Sequence, residues 1–336
     1  MNKALNQTEL FLSSIKSKET RDHYSHFLQK YIHFLGSGDK NDAKEIEGKI
    51  IEFILRLKKE GKSHAAISNY LAPIKLFYSI NDVALNVKKI DRFMPEQKRR
   101  RKDRKYENDV ILSMLSISDE RMKVVILLMT SSGIRIGAIP SLRVGHLQDR
   151  MLTVYEHDRE EYITFITFEC RKATDNYLEM RARYGEKITQ DSLLIREQFD
   201  VRCPGKPRAI ERHLIQYKLY DLARRAGVDN NDVAVAHGFR KFFTSQLVDS
   251  DVRAEIREML LGHKIGLASA YYRPSEEEMY QEYEKALNNL TINEEYRLKT
   301  ENQELKEKNK DNEYIIRGKL EEKDKQIEEL EKTGKV

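Results

Sequence analysis

Eight consecutive residues, Lys98 to Lys105 (KRRRKDRK), carry seven positive charges and one negative. Such a run cannot enter an apolar core, because an unpaired ammonium or guanidinium loses far more on leaving water than burial returns. The chain must therefore run through solvent there, which predicts two separately folded parts joined by a basic linker. Cations in that position can also lie along the phosphates of a nucleic acid and bind them without regard to sequence.

Upstream of the run, Tyr24, Phe27, Tyr31 and Phe34 recur at spacings of three and four within residues 12–34. That places the rings on one face of a helix, which Gly36 and Gly38 break. A second helix is expected over 42–59, burying Ile46, Ile50, Ile51, Ile54 and Leu55, and a third after Ser63 with Ile67, Leu71, Ile74 and Phe77. Residues 8–95 thus read as a small all-helical domain and 96–105 as the linker. Downstream, Val124 to Met129 is apolar enough for a fully buried helix, which Gly133 can stop. The segments MLTVY (151–155) and YITFITF (162–168) are β-branched and aromatic, and EHDREE between them completes a hairpin pattern. Helices are expected again near 172–183 and 207–226, so the second domain, 106–285, is mainly α with a small β-hairpin, an α+β class. Residues 286–336 turn to Glu, Lys, Asn and Gln. There Leu298 and Leu305, and Leu320 and Ile327, stand seven apart but out of register, which fits an acidic helical tail or weak coiled coil.

The formal charge is +5, but the segment from residue 276 onward is acidic, so the rest is more basic than the total suggests. A polyanionic partner is expected. Cys170 and Cys203 make no disulfide framework and no zinc-type spacing, which suits a reducing compartment. No apolar run approaches the roughly 18 residues of a membrane span, and MNKALNQTEL lacks the apolar core of a signal peptide. A cytoplasmic, nucleoid-associated protein with no membrane partner is the expectation. With no Walker A loop, acidic metal cluster or zinc pattern, no cofactor and no metal are expected either.

Four segments of the second domain carry candidate chemistry: SGIRIGAIPSL around Arg135, HGFRKFF with His237 and Arg240, LLGHK with His263, and AYYRP with Tyr271 and Tyr272. Each alone has an ordinary explanation. An arginine after a glycine is commonly a capping or surface residue, a histidine three before an arginine can simply share its helix face, and paired tyrosines are usually partial core. Taken together, the order Arg, His-x-x-Arg, Leu-Gly-His and a tyrosine nine residues later resembles the tyrosine recombinase (phage integrase) family. The resemblance covers roughly residues 10–285, with the helical first domain resembling that family's DNA-binding core-binding domain. TFIT in the hairpin and YYRPSEEEM look most like archaeal members.

The resemblance implies a site-specific recombinase or integrase, of a mobile element or for resolving chromosome dimers, whose two domains form a clamp on double-stranded DNA bearing specific recombination sites. It also implies a homo-tetramer in which the segment from about Arg273 docks on a neighbouring protomer, and the acidic tail could serve assembly or an accessory protein. Arg135 and Arg240 would hold the non-bridging phosphate oxygens, since a guanidinium stays charged and offers paired donors. His237 would handle the proton of a tyrosine hydroxyl, which is mostly neutral near pH 7. His263 would hydrogen-bond the scissile phosphate. Tyr272, at the ninth position, is favoured over Tyr271 as the nucleophile, leaving a 3′-phosphotyrosyl link without ATP or metal.

Three departures from the family pattern stand out. The family's hairpin lysine, which protonates the leaving oxygen, is missing: the turn holds Arg159, and the nearest lysine is Lys172. Ala138 stands where a glutamate is common, and Lys241 where a second histidine is often found. A catalytically degenerate DNA-binding relative and a type IB topoisomerase-like relaxing enzyme are the alternatives.

Overall fold

The computed structural model describes residues 2–36, 42–97, 104–197, 207–229, 232–264 and 272–298, with single positions at 316, 320 and 323. The chain divides into two compact units, Met1–Arg100 and Arg101–Val336. Most of the basic run and the heptad positions of the tail lie outside the described residues, apart from Leu298 and Leu320.

The first unit contains α1 (Asn2–Ser13), α2 (Lys18–Leu35), α3 (Ala43–Lys59), α4 (His64–Ile80) and the short α5 (Val87–Asp91). Ser17, Asp42, Ser63 and Asn86 cap the last four, each side chain accepting a backbone N–H of its own first turn. The single helix expected over 12–34 is two helices. The chain breaks after Ser13, and the Ser17 side chain restarts it by accepting the Thr20 N–H. The buried stripe of α3 is also rotated from expectation, because Phe53 and Leu57 enter the core while Leu55 is exposed. Tyr31 and Tyr78 join their hydroxyls at 3.4 Å inside this core.

The second unit contains α6 (Asn108–Ser116), α7 (Glu120–Ser132), a three-stranded sheet, α8 (Phe168–Arg183), α9 (Arg212–Arg225), α10 (Val235–Asp249), α11 (Ala254–Leu260), α12 (Glu276–Glu284) and α13 (Leu287–Leu290). The central α7 is buried on nearly every side, as its continuous apolar run requires. The hairpin is β2 (Met151–Val154) with β3 (Tyr162–Phe165), antiparallel, pairing Met151 with Phe165 and Val154 with Tyr162. A short strand, β1 (Leu147–Gln148), extends the sheet in the order β1-β2-β3. Among the described residues no helix is long and apolar enough to cross a membrane.

The core of this unit continues past residue 285 through Ala286, Leu287, Leu290 and Ile292. Glu169 on α8 accepts the backbone N–H groups of Ile292 and Asn293 at 2.9 and 3.3 Å, and the Tyr283 hydroxyl donates to the Ser131 carbonyl at 2.9 Å. Residues 276–292 therefore pack on their own unit in this structure.

Candidate active site

Gly133 ends α7 in the left-handed conformation, with φ 62°. A Cβ there would stand 2.3 Å from the Phe243 ring, so both the turn and the close approach of α10 require glycine. Two residues later the chain presents Arg135, half-buried between the buried Ile134 and Ile136.

Arg240, on α10, is the buried hub. Its Nη1 donates to the Gly133 carbonyl at 2.7 Å and its Nη2 to the Leu261 carbonyl at 2.6 Å. Nη2 also lies 2.9 Å from Nε2 of His263. One side chain thus joins the end of α7, the middle of α10 and the end of α11. Burial, and next the charge of Arg135, push the Arg240 guanidinium below its usual pKa. Two cations held this close favour an anion between them.

His263 is placed by a left-handed turn at Gly262, φ 65°, whose N–H returns to the Met259 carbonyl while the His263 N–H reaches that of Glu258. A Cβ on Gly262 would meet the Tyr162 ring at 2.5 Å, so the histidine turn and the first residue of β3 are packed face to face. The Glu258 carboxylate takes the other ring nitrogen, Nδ1, at 2.5 Å. Tyr162 and Tyr155, at the mouth of the hairpin with rings 6.5 Å apart, both lie within the fields of Arg135 and Arg240. Burial raises both phenols while the arginine charges pull them back. Arg212 at the start of α9 also acts on Tyr155.

Arg135, Arg240 and His263 are thus brought together. His237 sits exposed on the first turn of α10, one turn before Arg240. Tyr272 is half-buried, but its hydroxyl donates to Oε1 of Glu278 at 2.8 Å, with the Arg253 guanidinium 5.8 Å from the ring centre. Arg253 binds the same Glu278 oxygen at 2.7 Å. Burial first, then the bond to Glu278, raise the Tyr272 phenol pKa, whereas the Arg253 hydrogen bond holds Glu278 low. Tyr271 lies outside the described residues. Lys172 is exposed on α8, and Arg159 is exposed in the hairpin turn. Tyr155, Tyr162, Glu258, Arg253 and Glu278 were not singled out from sequence. Only Glu258, five residues before the Leu-Gly-His histidine and so close to it across one helix end, left a local signal.

Comparison with known proteins gives this cluster a family. The phage integrase family profile matches residues 104–278. Tyrosine recombinase XerD of Oceanobacillus iheyensis is 24% identical over 287 residues, covering 80% of this chain and 92% of its own. A lambda integrase (residues 75–356) dimer bound to a COC' core site superposes with a TM-score of 0.59 at 15% identity, covering 82% of this chain and 96% of that one. A lambda integrase tetramer bound to a Holliday junction gives 0.58 at 16% identity, covering 80% and 75%. Since the matched profile takes in more than half of the 336 residues and spans Arg135, Arg240, His263 and Tyr272, the chain belongs to the phage integrase family of tyrosine recombinases.

Proposed function

We propose that this protein is a site-specific recombinase that cuts and rejoins double-stranded DNA through Tyr272, and the observation that carries the reading is the convergence of Arg135, Arg240 and His263. A phosphodiester repels nucleophiles, so its attack needs cations fixed where charge develops on the non-bridging oxygens. Arg240 is already oriented by two backbone carbonyls, which leaves little to reorganise when phosphate enters.

In the reaction, the Tyr272 oxygen bonds to phosphorus and the 5′-oxygen leaves, giving a 3′-phosphotyrosyl link and a free 5′-hydroxyl. His237 handles the tyrosine proton. Lys172 or Arg159 would protonate the leaving oxygen, with Arg159 the poorer donor because a guanidinium holds its proton too tightly. Tyr272 must exchange its Glu278 partner for the phosphate before it attacks. The assembly is a homo-tetramer on two duplexes, with the helical unit contributing DNA contacts and the acidic tail available to an accessory protein. Integration of a mobile element and resolution of chromosome dimers, either in the cytoplasm, both use this chemistry.

Trapping on a nicked suicide substrate carrying the cognate site tests the reading. Wild type and Tyr271→Phe should give a denaturant-resistant protein–DNA adduct that Tyr272→Phe does not. A verified site that is bound but never joined to protein would instead identify a DNA-binding relative without cleavage activity.

A further inference from the structure

We propose that Glu258 is a positioning residue that fixes the tautomer and ring orientation of His263, presenting Nε2 to Arg240. The inference rests on the recombinase reading above. Its geometry is a chain of three groups: Arg240 Nη2 lies 2.9 Å from His263 Nε2, and His263 Nδ1 lies 2.5 Å from Glu258 Oε2. A guanidinium can only donate and a carboxylate only accept. Both contacts are hydrogen bonds only if Nδ1 carries the proton and Nε2 offers its lone pair. Glu258 selects this form because protonation on Nε2 alone would leave the carboxylate facing a lone pair and Arg240 facing an N–H, and a ring turned over would present carbon to both.

The contact is poorly suited to a purely stabilising role. The His263 and Glu258 side chains are 40% and 48% exposed, and exposed ion pairs add little to folding. Orientation is another matter, because the Gly262 turn places the ring but leaves its rotation and tautomer open. Among the described residues, the groups facing the ring are Arg240 on α10, Glu258 on α11 and Tyr162 across from Gly262, with Arg135 acting through Arg240. Of these, Glu258 alone supplies an acceptor at Nδ1. With that proton fixed on Nδ1, Nε2 keeps its lone pair for the Arg240 guanidinium, and the ring stands in one orientation beside it. The same logic makes a buried carboxylate hold the catalytic imidazole of a serine protease.

The test uses the full chain labelled with 15N-histidine, with Glu258→Ala and Glu258→Gln beside wild type and His263→Gln to assign the signal. In wild type, the His263 nitrogens should show protonated Nδ1 and unprotonated Nε2, a pattern lost in Glu258→Ala and at least partly kept in Glu258→Gln, whose amide oxygen can still accept. On the nicked site substrate, Glu258→Ala should slow adduct formation by about tenfold or more, as expected when a group at the reacting phosphate loses its orientation. Affinity for the same DNA should be unchanged, and Glu258→Gln should recover part of the rate. A wild-type spectrum with the proton on Nε2, or adduct formation by Glu258→Ala at the wild-type rate, overturns the proposal. Failure of wild type itself to form adduct on a verified, bound site overturns the recombinase reading instead, while the spectrum still decides the tautomer.

Discussion

Arg240 is satisfied before any substrate arrives, since its guanidinium is bonded to two carbonyls and faces a histidine nitrogen. It is nevertheless crowded by the like charge of Arg135, which together with burial holds its pKa below the usual arginine value. Stability and function therefore pull apart at Arg135. Arg135→Ala should leave the thermal midpoint unchanged or raise it, because a repulsion is relieved, while lowering adduct formation by about 100-fold or more, the usual loss for a donor aimed at transition-state charge. Arg240→Lys should lose both properties. An ammonium cannot reproduce the planar fork that reaches Gly133 and Leu261 together, so the midpoint and the adduct rate should fall in parallel. Calorimetry alongside suicide-substrate trapping separates the two variants. The arginines were legible in the sequence because each sits in a short local motif; the Tyr272 contact with Glu278 and Arg253 was not, because it depends on how α11 meets α12.

Among the elements, α8 stands where a helix is expected, but the burial of its last turn and of the loop after it differs from what their charge suggests. The segment from Arg171 to Glu197 is so rich in charge that it reads as surface, yet Arg181 is wholly buried. Its Nε meets Glu186 at 3.0 Å, and Arg196 reaches the same carboxylate at 2.7 Å. Burial alone would raise the Glu186 pKa, but the two arginines outweigh it and hold the carboxyl below its ordinary range. A carboxylate lowered in the folded state stabilises that state above its unfolded pKa, and the contribution is lost as pH falls through the lower folded value. Glu186→Ala should cost about 3–5 kcal/mol near neutral pH by removing the carboxylate that two buried guanidiniums share. Denaturant unfolding at several pH values checks this, because the gap between wild type and variant should narrow on acidification. Periodicity did locate α7 and the hairpin, since an unbroken apolar run and two β-branched stretches leave few alternatives. It missed the break before α2, where one serine side chain decides the restart, and it missed β1, whose two residues are too few to show a period.

For the whole molecule, the family and the order of its motifs were written in the chain, while the arrangement around the nucleophile depends on packing that no local pattern records. The basic run offers a decisive test at this scale. If Arg99, Arg100, Arg101 and Lys102 lie along phosphates, each releases condensed counterions on binding. The slope of log affinity against log salt should then shrink by about 0.9 for every contact removed, up to about 3.6 when all four become glutamine. Discrimination between the cognate site and unrelated DNA should persist, because phosphate contacts carry no base information. Fluorescence anisotropy over a salt series on both duplexes measures the two quantities at once. An unchanged slope would reduce the run to a solvated linker, and a lost preference for the cognate site would show that it helps read the sequence.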